Sequence, residues 1–198
     1  MSNLNFEIHR KTFHLMGLLC PVIYFFISKY IAVPLIIFAA AFVVYIDINR
    51  HKNQLIQYWV NYFLGNIMRT EESQTRKLAS CSWMFLGLAT SCILFPKNIA
   101  IFSWVILFIS DSAAALVGTK YGRTFILDKK TFEGSLTFFI LTIILGMFIY
   151  LLLPASFSFF GLVVCAILTT YTELYSKYYG IDDNISIPLV AGLCLSIF

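Results

Sequence analysis

Seven apolar segments, separated by short polar stretches, constrain this chain more than any other feature of its sequence. A helix that crosses the hydrocarbon core of a bilayer, about 30 Å thick, needs about 20 apolar residues. The segments are Phe13–Ile27, Ile31–Ile48, Leu78–Phe95, Ile99–Val117, Leu136–Leu153, Phe157–Tyr175 and Ile185–Phe198. The sequence therefore predicts an all-α transmembrane helical bundle of about seven spans, formed by a single domain over residues 1–198.

The amino-acid composition excludes an ordinary soluble domain. Apolar residues make up 60% of the 198 residues and charged residues only 12%, with a mean hydropathy of +0.83. A soluble domain is about 45–50% apolar and about 25% charged, so this chain lacks the charge to cover a water-facing surface. The five cysteines lie inside apolar segments without a Cys-x-x-Cys pair. We therefore expect neither a disulfide framework nor a cysteine metal site.

The basic residues predict the orientation of the chain in the membrane. Of the 14 Lys and Arg residues, only Lys29 and Lys97 lie on one side of the predicted spans, and the others lie on the side that holds the N-terminus. The positive-inside rule therefore predicts a cytoplasmic N-terminus in the cell membrane, with the polar clusters facing the cytoplasm. The net charge of +4 is spread between spans rather than gathered along a groove, so we expect no nucleic-acid partner.

A carboxylate inside the fourth segment is the sharpest single candidate. Asp111 lies about two helical turns before the end of that span near Gly118. Placing a carboxylate inside a span costs about 2.5–3.5 kcal/mol, which favours a functional role. Ala114 and Gly118 are spaced for close packing against another helix rather than against lipid. The alternative interpretation of Asp111 is a structural hydrogen bond between helices. The small residues Ala114 and Gly118 could pack either within one chain or between the chains of an oligomer.

A loop ahead of the fifth segment has the composition of a phosphate-binding site. Its candidate residues are Lys120, Arg123, Lys129, Lys130, Glu133, Gly134 and Ser135. The free N–H groups and the dipole of a helix N-terminus favour anions, and a glycine lets the backbone approach them closely. Positive-inside topology would explain the cations alone, but it does not explain the acid at Glu133.

Two further clusters on the same predicted side carry charge. Arg10, Lys11 and His14 lie within about one turn of each other at the start of the first span. Contacts with lipid headgroups would explain the two cations, but a histidine at the membrane boundary usually has a partner. Glu173, near the end of the sixth segment, precedes the run Asp182-Asp183-Asn184. These oxygen ligands suit Mg²⁺, although a capped helix start would also explain Asp182 and Asn184.

The loop after the second segment holds acids and bases at helical spacings. Asp47 precedes Arg50 by three residues, and Arg69 precedes Glu72 by the same interval. Surface ion pairs explain both pairs as well as a functional role does. Between them, Leu55–Met68 is typical of an amphipathic helix that lies in the membrane interface.

Together these residue types indicate a site that handles a Mg²⁺–nucleotide beside a membrane lipid. Phosphoryl transfer depends mainly on positioning and on neutralising charge, so it needs no covalent nucleophile. The chain has neither the Gly-x-x-x-x-Gly-Lys-Ser/Thr motif nor the glycine-rich loop of protein kinases. Its loops are too short for a separate nucleotide-binding domain, so a nucleotide would bind at the bundle itself.

The order of these motifs resembles that of the polytopic CTP-dependent lipid kinase family, which contains dolichol kinase, phytol kinase and the CTP-dependent diacylglycerol kinase. The resemblance covers nearly the whole chain and departs at Ser110-Asp111, where the family often has Gly-Asp. The motifs that carry it are Arg10-Lys11-x-x-His14, Arg69-x-x-Glu72, Asp111-x-Ala113-Ala114, Gly118-x-x-x-Gly122-Arg123, Lys130-x-x-Glu133-Gly134-Ser135 and Asp182-Asp183-Asn184-x-x-x-Pro188.

The resemblance implies a Mg²⁺-dependent enzyme that transfers the γ-phosphate of CTP, rather than ATP, to the hydroxyl of a membrane lipid alcohol. A polyprenol, phytol and diacylglycerol all fit that description. The expected metal ligands are Asp111, Asp182 and Asp183. The expected nucleotide contacts are Lys120, Arg123, Lys130, Gly134, Ser135, Arg10 and Lys11. The expected catalytic groups are Asp111, His14 and Glu133. Asp111 is favoured over His14 as the general base. Arg69, Glu72, Glu173 and Asn184 complete the polar set.

Three other functions are compatible with a polytopic chain. A phosphatidate cytidylyltransferase, which is distantly similar to the same family, also uses CTP but releases pyrophosphate. A transporter would place polar residues near the bilayer midplane and on both faces, whereas here they lie on one predicted side. A purely structural membrane protein has no need for Asp111 or for the loop that carries Lys130 and Ser135.

Overall fold

The computed structural model describes residues 3–65, 68, 77–127, 130–152 and 157–198. Within these ranges the chain forms ten α-helices, one π-helical segment and one β-hairpin. The helices are α1 (Asn3–Met16), α2 (Leu19–Phe26), α3 (Lys29–Asn49), α4 (Gln54–Leu64), α5 (Ser80–Leu94), α6 (Lys97–Val105), α7 (Asp111–Tyr121), α8 (Phe132–Leu152), α9 (Phe159–Tyr175) and α10 (Asp183–Ile197). The π-helical segment, Ile106–Ser110, joins α6 to α7, and the antiparallel strands β1 (Phe125–Leu127) and β2 (Lys130–Thr131) join α7 to α8.

Three of the described helical runs are long and apolar enough to cross a bilayer. They are α3, the continuous run Lys97–Tyr121 through α6 and α7, and α8, with mean hydropathies of 2.5, 2.0 and 2.4. The helices α5, α9 and α10 are apolar but shorter, with 15, 17 and 15 residues. The all-α membrane architecture is therefore supported, whereas the expected number of seven spans is not confirmed.

The first predicted span is wrong as a single helix, because the chain breaks between α1 and α2. Pro21 has no N–H group, so the carbonyl of Gly17 lacks its usual partner four residues later. That carbonyl instead accepts a hydrogen bond from the N–H of Cys20 at 2.9 Å. Phe108 also packs against this point, where a Cβ on Gly17 would lie 2.2 Å from its ring. The resulting α2 has only eight residues.

The run through α6 and α7 lies at the centre of the bundle. Its most apolar stretch is 72% buried, against 17% for α3 and 22% for α8, which leaves those two helices facing outward. Trp104, Phe102 and Leu107 are fully buried in the core around it. Polar groups carried by the most buried part of this run, such as Asp111, therefore lie inside the bundle.

The small residues of α7 pack closely against the start of α8, as the spacing predicted. Ala114 is buried, and a Cβ on Gly134 would lie 2.9 Å from its carbonyl oxygen. A Cβ on Gly118 would similarly lie 2.9 Å from the hydroxyl of Thr131. The interface expected from Ala114 and Gly118 is therefore confirmed, and Gly134 contributes to it from the opposite side.

Two lysines bind helix ends at the end of the bundle where α2 and α5 finish. Lys29 donates to the carbonyl oxygens of Ile93 and Phe95, at 3.2 and 2.7 Å. Lys97 donates to those of Phe25 and Ile27, at 2.9 and 2.8 Å. Cations at these positions satisfy carbonyls that have no partner within their own helix. The opposite end, which carries Lys11, Asp111 and Lys130, is called the charged end below.

Candidate functional site

Asp111 lies at the charged end, directly after the π-helical segment, and is buried. The ammonium group of Lys11, from α1, forms an ion pair with its Oδ2 atom. The Nε2 atom of His14 lies 3.6 Å from the same oxygen and 3.3 Å from the carbonyl oxygen of Leu107. The structure thus brings together three site residues that the sequence placed on two distant segments.

The π-helical segment is a feature that the sequence analysis missed. Such a segment shifts the register of backbone hydrogen bonds and is frequent at functional sites. Here the carbonyl of Leu107 and the ring of Phe108 both face His14, and the two ring centroids are 5.0 Å apart. Ser110 is buried and accepts a hydrogen bond from the hydroxyl of Thr142 in α8 at 3.2 Å. The residue that departs from the family pattern therefore ties this segment to a neighbouring helix.

Lys130 is the centre of a second charged group, built from β2, α9 and α10. Its ammonium forms an ion pair with Glu173 and lies 3.9 Å from the Oδ2 atom of Asp183. Burial lowers the pKa of Lys130, but the negative charges of Glu173, Asp183 and Asp111 outweigh that effect and raise it above its ordinary value. Lys130 is therefore held in its charged form, with more acids than cations around it.

A cleft at the charged end is lined by the first group and by Asp183 of the second. Its polar lining includes Arg10, Lys11, His14, Asp111, Asp183 and Asn184. Its other lining is largely apolar and includes Phe13, Leu64, Met68 and Met84, together with Ser80 and Cys81. A cleft lined by both charged and apolar side chains can receive a molecule that has a polar head and a hydrocarbon tail.

Other predicted residues have local partners that explain their positions. The guanidinium of Arg10 pairs with Glu7 one turn earlier, at 2.7 Å, while it lines the cleft. Asp182 is the N-cap of α10, and its Oδ1 atom accepts from the N–H and the side-chain amide of Asn184, at 3.0 and 2.7 Å. The capping interpretation of Asp182 therefore has direct support, and the cap sets the position of Asp183 at the start of the helix.

The loop expected to hold phosphates is not one continuous site. Lys120, Arg123 and Glu133 line a second cleft that shares no lining residue with the first. The carboxylate of Glu133 accepts from the N–H of Thr124, at 3.3 Å. The N–H of Gly134 donates to the hydroxyl of Thr131 at 3.3 Å. Among the loop cations within the described residues, only Lys130 reaches the acids of the main site.

Ser135, another predicted nucleotide contact, lies near the start of α8. The hydroxyl of Ser135 is buried and has no hydrogen-bond partner among the described residues. Arg69, Glu72 and Lys129 lie outside the described residues.

Asp47 and Arg50 form the expected ion pair, at 2.8 Å, but their role extends beyond it. The Oδ2 atom of Asp47 accepts from the N–H of Ala79 at 2.7 Å and from the hydroxyl of Ser82 at 2.6 Å. A carboxylate at the start of a helix accepts hydrogen bonds from its free N–H groups and interacts favourably with the positive end of the helix dipole. Asp47 therefore ties the end of α3 to the start of α5, which carries the cleft residues Ser80 and Cys81.

The carboxylates of the site fit Mg²⁺ only if further ligands, such as the phosphates of a substrate, bind the metal ion as well. Within the described residues, no group of three or more His, Cys, Asp or Glu side chains is arranged to hold a metal ion. Asp111 and Glu173 each contact a lysine, although the Oε2 atom of Glu173 is buried without a hydrogen-bond partner in the described part of the chain. Mg²⁺ is commonly held by one or two carboxylates together with substrate phosphates. These residues match that mode of binding rather than a cage made by the protein alone.

Comparison with known proteins identifies the family of the chain. No family model matches the chain, and no solved structure matches it significantly. The chain is 39% identical over 199 residues to the uncharacterized protein RP860 of Rickettsia prowazekii, a match that covers 100% of this chain and 97% of that protein. The chain belongs to the family of RP860. A second relative, the uncharacterized protein MJ1137 of Methanocaldococcus jannaschii, is 25% identical over 193 residues, with 96% and 93% of the two chains covered.

A third relative has a named activity. The chain is 26% identical over 153 residues to CTP-dependent diacylglycerol kinase 1 of Saccharomyces cerevisiae, which covers 67% of this chain and 52% of that protein. The match supports in part the resemblance that the motifs carry. It favours a kinase over the other enzyme considered from the sequence.

Proposed function

We propose that this protein is a membrane-embedded kinase that transfers the γ-phosphate of CTP to the hydroxyl of a lipid alcohol, at the cytoplasmic face of the cell membrane. The observation that carries the proposal is the main cleft. It is lined by the Lys11–Asp111–His14 group and by apolar side chains, and Asp183 in the same lining lies 3.9 Å from the ammonium of Lys130. The partial similarity to a CTP-dependent diacylglycerol kinase supports CTP as donor and diacylglycerol as the first acceptor to test.

In the proposed reaction the lipid hydroxyl oxygen forms a bond to the γ-phosphorus, and the bond from that phosphorus to the bridging oxygen of the nucleotide breaks. CDP leaves with the negative charge, and the proton of the hydroxyl passes to a base. Asp111 is the proposed base and His14, beside it, is the alternative. Both line the cleft, so both are placed to meet a hydroxyl that enters it.

Two cations that line the cleft, Arg10 and Lys11, and Lys130 beside it are the proposed phosphate contacts. Lys11 forms an ion pair with Asp111, and the ammonium of Lys130 lies 3.9 Å from Asp183. Neutralising the charge of the phosphates is the largest part of catalysis in phosphoryl transfer. Mg²⁺ would supply more of that charge, with Asp111 and Asp183 as its protein ligands. We assign Asp182 to helix capping, where it positions Asp183.

Two labelled forms of CTP test the proposal against its alternative. Purified protein is incubated with Mg²⁺, diacylglycerol or phosphatidate, and CTP labelled at either the γ- or the α-phosphate. A kinase transfers the γ-label to the lipid, whereas a cytidylyltransferase transfers the α-label and releases pyrophosphate. Transfer of the α-label alone would contradict the proposed reaction.

Protection of a cleft cysteine tests nucleotide binding without turnover. Cys81 lines the cleft, whereas Cys20 lies on α2 outside it and serves as an internal control. We expect CTP with Mg²⁺ to slow the alkylation of Cys81 by N-ethylmaleimide and to leave that of Cys20 unchanged, as followed by peptide mass spectrometry. Equal rates with and without CTP would place the nucleotide elsewhere.

A further inference from the structure

Helix α4 has three distinct faces. At about 100° per residue, positions three and four apart share a side of the helix. One side carries Ile56, Val60 and Leu64, which are buried or half-buried against the protein. A second carries only polar side chains, Gln54, Gln57 and Asn61, all of them exposed. The third carries Leu55, Tyr58, Trp59, Tyr62 and Phe63.

The third side, called the aromatic face below, is exposed although it is apolar. Trp59, Tyr62 and Phe63 are 49%, 67% and 68% exposed. Their rings contact each other, with the rings of Trp59 and Phe63 stacked at a centroid distance of 5.8 Å. An apolar patch of this kind on a surface that faces water marks a site of interaction with a protein, a membrane or a ligand. Trp and Tyr in particular gather at the boundary between headgroups and hydrocarbon.

The position of α4 in the chain selects the membrane as the partner of this face. Helix α3, which is long enough to cross the bilayer, ends at Asn49, and α4 begins a few residues later at Gln54. Because α3 leaves the bilayer at its surface, α4 starts at that surface. With the aromatic face toward lipid, the side that carries Gln57 and Asn61 faces water, as an interfacial helix requires.

The end of α4 connects this surface to the cleft. Leu64, its last residue, lines the cleft together with Phe13, Met68 and Met84. These apolar side chains line the same cleft as Asp111. A lipid that moves along the interface beside α4 therefore meets, at Leu64, the apolar part of the cleft that also holds the charged group.

We propose that α4 lies in the cytoplasmic leaflet and guides the lipid acceptor laterally into the cleft past Leu64. The inference rests on the proposed function, because it assigns the route by which that reaction receives its acceptor. The tail of the acceptor stays in the leaflet, and only its hydroxyl enters the cleft. Access from water is used by the nucleotide alone.

Three variants in proteoliposomes of defined composition test the route. The aromatic face is made polar in Trp59→Gln/Tyr62→Gln and kept aromatic in Trp59→Phe/Tyr62→Phe, and the polar side is changed in Gln57→Ala/Asn61→Ala. We expect the first variant to raise the KM for diacylglycerol, expressed as a mole fraction, at least about fivefold while the KM for CTP stays unchanged. The other two variants keep both values within about twofold of the wild type.

The depth of α4 is measured separately, without turnover. Tryptophan emission is recorded in vesicles of brominated or unbrominated phospholipid for the wild type and for Trp59→Phe. The difference between the two proteins reports Trp59 alone, since Trp83 and Trp104 are common to both. We expect the emission of Trp59 to be quenched by bromine near the top of the acyl chains.

The outcomes separate this inference from the proposed function. Unquenched Trp59 in an active enzyme, or an unchanged lipid KM in Trp59→Gln/Tyr62→Gln, overturns the lateral route and leaves the kinase intact. A wild-type protein that phosphorylates no lipid overturns both. Quenching together with a selective rise in the lipid KM supports the route.

Discussion

Lys130 forms the centre of the second charged group. From its sequence context alone, however, it is only one of several cations in a loop. Its partners Glu173 and Asp183 come from α9 and α10, which lie far along the chain. Contacts of this kind depend on helix packing, which no local pattern reveals. By contrast, Asp111 could be predicted, because a carboxylate inside an apolar segment is costly wherever its partner lies.

Removing the charge of Lys130 leaves its acids uncompensated. We expect Lys130→Met to lower the free energy of unfolding by about 2 kcal/mol, since hydrogen bonds to charged groups are worth about this much. The raised pKa of Lys130 means that this contribution is present at neutral pH and is lost only as the pH rises above the ordinary lysine range. Thermal unfolding in detergent measures the loss.

The double variant Lys130→Met/Glu173→Gln provides the control. It removes one acid together with the cation and should recover about half of the lost stability. Activity should stay low in both variants, because the proposed phosphate contact is missing. Full activity in the double variant would show that Lys130 is a structural partner only.

Gly17 is a second residue whose role depends on packing. A Cβ at this position would lie 2.2 Å from Phe108, whose ring contacts that of His14. We expect Gly17→Ala to displace Phe108, at a cost of about 1–3 kcal/mol in stability, and to reduce kcat through the altered position of His14. Unfolding and steady-state kinetics would be measured on the same preparation. An unchanged kcat in a destabilised protein would show that the position of His14 does not affect catalysis.

At the scale of elements, the sequence predicted where apolar helices lie better than where they break. The apolar segments correspond to α3, α5, the run through α6 and α7, α8, α9 and α10. The break before Pro21 could have been inferred from the missing N–H group. The π-helical segment at Ile106–Ser110 left no signal, because its residues are as apolar as those around them.

The start of α10 provides a test between capping and metal binding. Asp182 caps this helix through Oδ1, and an asparagine retains that oxygen. We therefore expect Asp182→Asn to keep both stability and activity, and Asp182→Ala to lose about 1 kcal/mol of stability. A large loss of activity in Asp182→Asn at unchanged stability would instead identify Asp182 as a metal ligand.

At the scale of the whole molecule, the polar groups divide the bundle into two unlike ends. One end holds the cleft and its charges, and the other holds Lys29 and Lys97 on helix carbonyls. This division follows the distribution of basic residues, so the existence of two ends could be predicted from the sequence. The pairing of Lys29 and Lys97 with helix ends could not, because it depends on which helices are neighbours.

The orientation of these two ends can be measured with single cysteines. Tyr30 lies beside Lys29 and is 92% exposed, whereas Tyr178 follows α9 at the charged end and is 76% exposed. We expect a membrane-impermeant maleimide to label Tyr30→Cys in intact cells and Tyr178→Cys only after permeabilisation, because the positive-inside rule predicts that the charged end lies in the cytoplasm. The wild-type protein controls for its own thiols. The reverse labelling pattern would invert the proposed topology.

The central claim is that the cleft around Asp111 catalyses phosphoryl transfer from CTP to a lipid alcohol. The most direct measurement is the transfer of γ-label from CTP to diacylglycerol by the purified wild type, by Asp111→Asn and Lys11→Gln, and by Lys97→Gln as the matched lysine at the opposite end. The account predicts transfer by the wild type and by Lys97→Gln, and a loss of at least about 10²-fold in the two cleft variants at equal yields of folded protein. Transfer that survives in Asp111→Asn, or a wild type that labels no lipid alcohol, would contradict it.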